Sequence, residues 1–201
     1  MLEYPVMRTL LLSVFIALSF TAISAQQPEP QPAPPVVQVE SGTWINGAPA
    51  GAVFSVLMPG KPAEQTEAVA GQPGVDNHML LLETKMAGYV VSYVEFPDDV
   101  TDPVAIKELL DKGREGGIAS SGGTLKSEKE IKLNDYFGRE WLLELPGGLS
   151  ATARAYWVKR RLFQTVFITT PKSDDSPEVQ KLRHEIATKF LDSFTLTAAA
   201  K

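Results

Sequence analysis

The chain has 201 residues and a formal net charge of −5, with 24 acidic and 19 basic side chains. An acidic chain without a basic tract binds nucleic acid poorly and docks weakly on anionic lipid, so we expect neither partner. The sequence has no cysteine, which excludes disulfide bonds and a lipid-modified cysteine and leaves a hydrophobic core as the source of stability.

The N-terminal segment, residues 1–25, has the composition of a secretory signal peptide. An apolar run over residues 10–22 follows Arg8 and precedes the small residues Ser24 and Ala25. Because the run is shorter than the about 20 residues that a membrane-spanning helix needs, a retained membrane anchor is the less favoured alternative. We therefore predict cleavage after Ser24 or Ala25, a periplasmic or secreted protein, and no stable membrane insertion after cleavage.

A proline-rich stretch, QQPEPQPAPP, follows the predicted cleavage site. Such a sequence favours extended polyproline geometry and forms a semi-rigid spacer, with a Pro-rich recognition ligand as the alternative. We assign residues 26–51 to a tether and transition segment, in which Trp44 is expected to pack on the domain surface. Residues 52–196 then form a single α+β domain, and residues 197–201 form a tail.

The first half of the domain alternates apolar and polar residues between turn sequences, which predicts four strands. They cover residues 52–58, 64–70, 78–85 and 88–96. The period then changes: Asp102 is a helix-capping residue, and proline at position 103 suits the first helical turn. Apolar residues at helical spacing follow, and Gly116 and Gly117 weaken the far end of this predicted helix.

The second half repeats the order of strands followed by a helix. Four strands are predicted at residues 124–133, 137–146, 150–158 and 161–169, with tight turns at 147–148 and 159–160. A second helix starts after Ser176, and its apolar stripe is Val179, Leu182, Ile186, Phe190, Leu191 and Phe194. The predicted fold is therefore α+β, an antiparallel β-sheet flanked by two amphipathic helices.

Several phrases carry a resemblance to a known layout. FSVLMPGKP, YVVSYVEFP, GREWLLELPGG, ARAYWVKRRLFQ and the terminal SPEVQKL…FLDSFTL look like an exported bacterial family without assigned function, similar to the PsbP-like and Mog-type α-β-α sandwich. PsbP is an extrinsic lumenal subunit of photosystem II, and Mog-type proteins bind the GTPase Ran. The resemblance therefore implies a non-enzymatic interaction module, although no metal or partner residue of PsbP matches a position here.

The candidate binding residues come from strand alternation. Arg139 shares the apolar face of its strand with Trp141, whereas the adjacent Glu140 points the other way. Side chains on neighbouring strands extend this to one conceivable cross-sheet cluster: Arg139, Arg154, Glu95, Tyr93 and Tyr156. The cluster is interpreted either as ion pairs closing one end of the core or as a pocket for a small anion or acidic partner. We expect Glu95 to pair with Arg139, and Glu140 to contribute little to stability.

Other patterns predict no chemistry. His78 and His184 are not spaced as metal ligands, so no metal and no cofactor are expected. Ser121 in ASSGG resembles a nucleophile elbow, but a helix precedes it and a strand follows, the reverse of the order that an elbow needs. The charged strand LKSEKEIKL places Lys126, Glu128, Glu130 and Lys132 on one face, with Leu125, Ile131 and Leu133 on the other. It is interpreted as a solvated face or a protected sheet edge, with a protein-docking edge as the alternative.

The sequence therefore favours an exported, non-catalytic interaction module that binds an envelope or extracellular protein. The alternative is a carrier of an apolar or anionic small molecule, and an uncharacterised hydrolase comes third. A carrier could line its cavity with the plentiful aromatic residues, although a core needs them too. These are Phe54, Tyr89, Tyr93, Trp141, Tyr156, Trp157, Phe163 and Phe167.

Overall fold

A computed structural model describes residues 38–39, 43–69, 71–171 and 175–197. The predicted signal peptide, the proline-rich stretch and residues 198–201 of the predicted tail lie outside these ranges. Among the helices in the described ranges, none combines the length and the apolar character needed to cross a bilayer.

The described part of the chain contains twelve strands and two α-helices. The strands are β1 Gln38–Val39, β2 Ile45–Asn46, β3 Phe54–Ser55, β4 Leu57–Met58, β5 Ala63–Ala68, β6 Asp76–Thr84, β7 Ala87–Glu95, β8 Thr124–Leu133, β9 Tyr136–Leu145, β10 Leu149–Val158, β11 Arg161–Thr169 and β12 Thr195–Leu196. The helices are α1 Pro103–Ser121 and α2 Pro177–Asp192.

One sheet in the order β1-β6-β7-β11-β10-β9-β8 organises the domain, and β5 pairs with β6 as well. All its strand pairs are antiparallel except β1–β6, which is parallel. Two-stranded ladders join β12 to β3 and β2 to β4. The prediction of an α+β fold with a largely antiparallel sheet and two helices is confirmed.

The first helix begins and ends at the residues that local chemistry favours. The Asp102 carboxylate accepts a hydrogen bond from the Val104 amide at 3.2 Å, and Gly122 closes the helix in the left-handed conformation at φ 65°. The helix continues through Gly116 and Gly117, which are both buried. Small residues at this point allow the helix backbone to approach its neighbours closely.

The core contains two large clusters that use alternate residues of the same strands, and a small third cluster of Val69, Val75 and Val94. The α1 cluster contains Leu110 with Val90, Trp141, Leu143, Trp157 and Val166. The α2 cluster contains Phe190 and Leu191 with Phe54, Tyr89, Val91, Tyr156 and Phe163. Successive residues of one strand thus contribute to different clusters, as expected when their side chains point to opposite faces of a sheet.

The apolar stripes of the helices are shorter than the sequence suggests. Phe190 and Leu191 are buried, but Leu182, which lies two turns earlier on α2, is 44% exposed, and Val104 of α1 is 62% exposed. Trp44 packs as expected, with its ring 6.1 Å from that of Tyr89. The packed structure therefore includes residues that precede position 52.

Candidate functional site

The five side chains expected in one cluster lie in three places. Arg139 projects on the side of the α1 cluster, whereas Tyr156 and Tyr93 contact the α2 cluster. In the strand register, Phe163 of β11 stands between Tyr93 and Tyr156. The prediction of a single cross-sheet cluster is therefore wrong. Residue alternation was assigned correctly within each strand, but the order of the strands separates the side chains.

Arg139 contacts three carboxylates and an aromatic ring. Its guanidinium nitrogens lie 3.3 Å from Glu128, 3.4 Å from Glu130 and 3.7 Å from Asp111. The same group lies 5.3 Å from the ring centre of Phe137. The side chain is only 15% exposed. Because burial of an unpaired cation would be costly, the three carboxylates compensate the charge of Arg139.

Glu128 connects this arginine to the helix and to the core. Arg114 of α1 contacts Glu128 at 2.5 Å, and the indole nitrogen of Trp141 donates a hydrogen bond to it at 3.1 Å. The Glu128 carboxylate of β8 thus links side chains of α1 and β9, and we interpret it as a structural contact between these three elements. The expected partner of Arg139, Glu95, is not part of this network, and that prediction is wrong.

A second network surrounds Arg154. Its guanidinium contacts Glu140 at 2.6 Å and Asp192 at the end of α2 at 2.7 Å, and Lys129 contacts Glu140 at 2.7 Å. Burial raises the pKa of Glu140, but hydrogen bonds from Lys129 and Arg154 outweigh it and hold that pKa below its usual value. Burial also raises the pKa of the neighbouring Tyr156 hydroxyl. Sequence analysis predicts little contribution from Glu140, but its carboxylate connects β8, β9 and β10, so these contacts lead us to expect a contribution to stability instead.

The lowered pKa of Glu140 gives a prediction for acid stability. Ionised Glu140 contributes stability that is present above the unfolded pKa of about 4.3 and is lost as pH falls through the folded pKa. We expect Glu140→Gln to lower the free energy of unfolding at neutral pH and to flatten its decline between about pH 5 and pH 3. Urea unfolding at a series of pH values measures both effects.

The matched control for this experiment is Glu108→Gln, an exposed position of α1 that forms no ion pair among the described residues. It should leave the pH profile unchanged. If Glu140→Gln and the parent protein lost stability in parallel on acidification, the contribution assigned to the Glu140 carboxylate would be incorrect.

The third place is a hairpin end where Glu95 meets two arginines. Arg161 donates to Glu95 at 2.8 Å, and Arg160 contacts the other carboxylate oxygen. The hydrogen bond from Arg161 is the main cause that holds the pKa of Glu95 below its usual value. Glu95 and Arg161 face each other across β7 and β11. This cross-strand charge pair fixes the local geometry of the sheet end.

An open groove of about 370 Å³ lies beside this charge pair, and we call it the recognition groove. The residues that line it are Pro73, Gly74, Val75, Asp76, His78, Glu95, Phe96, Pro97 and Arg160. Backbone hydrogen bonds shape its walls: Phe96 N–H donates to the Arg160 carbonyl at 2.8 Å, and Val69 N–H donates to the Val75 carbonyl at 2.8 Å. The groove therefore rests on paired backbone at both sides.

His78 connects the groove to Tyr93. The two rings stack with centroids 4.7 Å apart and planes inclined by 22°, and the His78 Nδ1 lies 3.0 Å from the Thr66 hydroxyl. Burial raises the pKa of Tyr93. His184 lies on α2, and no group of at least three metal-ligating side chains converges in the part of the chain that the structure describes.

Ser121 is the last residue of α1, and β8 begins three residues later at Thr124. The Ser121 hydroxyl accepts from the Gly123 amide at 3.3 Å, where α1 gives way to β8. β8 is the last strand of the sheet, and the expected sheet edge is confirmed. A bulge between Leu125 and Ser127 puts Leu125 with the α1 cluster and Ile131 with the α2 cluster, so the prediction that these two share a face is wrong.

Sequence reasoning singled out Glu95, which lines the groove, and Tyr93, which stacks on the lining residue His78, but it missed the groove itself. Asp76, Phe96 and Arg160 come together through pairing between β6, β7 and β11, which are distant in sequence. The loop sequence GQPGVD and the basic turn KRR were the local signals at its rim.

Comparison with known proteins finds no matching protein-family model and no matching curated protein.

Proposed function

We propose that this protein is an exported, non-catalytic interaction module that binds an envelope or extracellular protein through the recognition groove. The observation that supports docking is the groove itself, an open depression that combines buried Val75 and partly buried Phe96 with charged residues at the end of the sheet. Partner-binding surfaces commonly combine apolar contact area with a polar rim. Export is inferred from the composition of residues 1–25.

We also infer the finer architecture, a PsbP-like layered sandwich with one helix on each surface of the sheet. Support comes from the alternation of core residues: Val90 packs in the α1 cluster, whereas Tyr89 and Val91 pack in the α2 cluster. Non-enzymatic binding is the property implied by resemblance to the PsbP-like and Mog-type layout. Because fold alone does not determine function, the groove rather than the layout carries the proposal.

The aromatic packing supports docking over the carrier alternative. The Tyr89 ring contacts Phe190 with centroids 5.2 Å apart, and the Phe54 ring stacks on Phe194 at 5.4 Å. The Trp157 indole donates to the Val100 carbonyl at 2.9 Å. Aromatic residues that a carrier would use to line a ligand cavity thus contact one another or the backbone in these places.

Site-specific photo-crosslinking in producing cells tests the proposal. A benzophenone amino acid at Pro73, an exposed residue that lines the groove, should yield one discrete crosslinked band that contains an extracytoplasmic protein. The same probe at Asp135, an exposed residue of the β8–β9 turn, should not yield that band. Equal crosslinking at both positions, or a crosslink to a cytoplasmic protein alone, would argue against groove-mediated binding outside the cytoplasm.

A further inference from the structure

We propose that the outer edge of β8 pairs antiparallel with β8 of a second copy of this chain, in a register centred on Ile131. This edge is separate from the recognition groove, so the pairing does not depend on the proposed docking function. Three features of β8 support it: its position in the sheet, the side of the sheet to which each residue points, and the pattern of its charges.

The outer edge of β8 has no strand partner in the part of the chain that the structure describes. β8 covers ten residues, is the last strand of the sheet, and pairs with β9. An unpaired edge presents backbone N–H and C=O groups that can pair with a strand of another chain. The bulge between Leu125 and Ser127 interrupts the start of β8, so the regular part of the edge is the segment 128–133.

The possible registers between two copies are limited by geometry. Residues that face each other across an antiparallel pair point to the same side of the sheet, so a two-fold axis passes beside one residue and not between two. The ladder with β9 determines these sides. Glu130 faces Arg139, which contacts Asp111 of α1, whereas Ile131 packs against the α2 cluster.

The charges of β8 distinguish between these registers. A register centred on a charged residue brings that residue opposite its own copy, and like charges that face each other across strands are destabilising. The charged residues of the segment are Glu128, Lys129, Glu130 and Lys132. A register centred on Leu133, the last residue of the strand, would leave most of the edge unpaired.

The register centred on Ile131 brings opposite charges together. Ile131 then faces its own copy, Glu130 of each chain faces Lys132 of the other, and Lys129 faces Leu133 of the other. Charged side chains ordinarily protect a sheet edge from pairing, because an arriving strand seldom matches them. In this register they match at two symmetric places, and opposite-charge pairs across strands are stabilising.

The side chains concerned are accessible to a second copy. Lys132 is exposed and forms no ion pair among the described residues. The Glu130 side chain is 54% exposed, and its contacts with Lys107 and Arg139 both use Oε1. Ile131 is partly buried, so pairing would cover the apolar surface that it still exposes. Each chain therefore offers a carboxylate, an ammonium group and an apolar centre in the spacing that the other requires.

The pairing leaves the recognition groove open. In the strand order, β11, β10 and β9 lie between β7 and β8, and the groove is lined by residues of β6 and β7 and by Arg160. A dimer formed through β8 is thus one continuous sheet with a recognition groove in each copy.

Disulfide trapping tests the register. Because the chain contains no cysteine, a single introduced cysteine can form a disulfide only with a second copy. In Ile131→Cys the two Cβ atoms would lie about 4.5–5.5 Å apart, close to the separation that a disulfide needs. In the control Lys129→Cys the two cysteines would lie four residues, about 13 Å, apart along the strands. We expect Ile131→Cys to form a covalent dimer under mild oxidation at least about tenfold faster than Lys129→Cys. Equal rates, or a faster reaction of Lys129→Cys, would overturn the register.

A second pair of variants leaves Ile131 unchanged, so its result does not depend on how Ile131→Cys folds. Lys129→Cys and Leu133→Cys face each other in the proposed register, so mixing the two proteins should give mainly the mixed disulfide, identified by its mass. Oxidation of either protein alone should give little dimer. Mixed and self disulfides in the statistical ratio would contradict the pairing.

Sedimentation equilibrium of the cysteine-free protein measures the dimer directly. Lys132→Glu should raise the dissociation constant of the dimer at least about fivefold, because it places like charges opposite each other at two places. Lys181→Glu, the same charge reversal at an exposed position of α2, should leave the constant unchanged. A parent protein that remains monomeric at every concentration, or an equal effect of the two charge reversals, would overturn the proposal.

Discussion

Replacing Gly138 with alanine is expected to lower the free energy of unfolding by about 3 kcal/mol. A Cβ atom at this position of β9 would lie 2.5 Å from a ring carbon of Tyr156 and 2.6 Å from the Ala155 carbonyl oxygen. The ring cannot retreat easily, because Tyr156 is buried and stacks on Phe194 at 6.0 Å. The backbone oxygen belongs to the neighbouring strand, so relief requires a shift of the β9–β10 ladder.

Gly113→Ala is the matched control for this prediction. Gly113 lies inside α1, and a Cβ atom added there meets nothing within 4 Å. Alanine favours a helix interior over glycine by about 0.5–1 kcal/mol, so this variant should be more stable than the parent. Urea unfolding of the two variants measures the expected decrease in the free energy of unfolding for Gly138→Ala and the expected increase for Gly113→Ala. A Gly138→Ala protein as stable as the parent would show that β9 and β10 are not packed as closely as described.

The second large effect is expected for Arg139→Ala, which should lower the free energy of unfolding by about 2–4 kcal/mol. The arginine is mostly buried and contacts Glu128 and Glu130, so its removal leaves carboxylates with fewer compensating charges. It also removes a cation from the ring of Phe137. Thermal and urea unfolding at low and high salt measure the loss.

Lys107→Ala provides the comparison, because Lys107 contacts the same Glu130 carboxylate at 3.0 Å but is 44% exposed. An exposed ion pair contributes only about 0–1 kcal/mol, so this variant should remain close to the parent. Equal losses for the two variants would mean that burial does not determine the contribution of Arg139, contrary to the interpretation of this network.

Local sequence features predict the regular elements well. β8 and β11 have the predicted bounds, 124–133 and 161–169, because alternation and turn residues are encoded within each segment. The predicted strand 52–58 is divided into β3 and β4, and β1, β2 and β12 were not predicted. Strands of two residues are too short to carry a period, so no local pattern can reveal them.

The candidate site depends on features that a local pattern does not contain. Alternation placed Arg139 and Glu140 on opposite sides correctly, but the partners of each depend on which strands are neighbours. Glu95 meets Arg161 through a contact 66 residues apart in sequence, because β7 pairs with β11. The bulge in β8 reverses the orientation of part of that strand. Pairing order and bulges therefore limited the prediction of the site.

We propose that the arginine networks stabilise the fold, whereas the recognition groove binds the partner. The most direct test measures melting temperature and the Pro73 crosslink in the same two variants, Arg139→Ala and Pro97→Arg. We predict that Arg139→Ala melts at a lower temperature than the parent. At temperatures below its own melting temperature, this variant should retain the crosslink. Pro97→Arg, an exposed change at the groove rim, should melt like the parent and lose the crosslink. The reverse pattern, with Arg139→Ala abolishing the crosslink at unchanged melting temperature, would contradict the account and make Arg139 the contact residue.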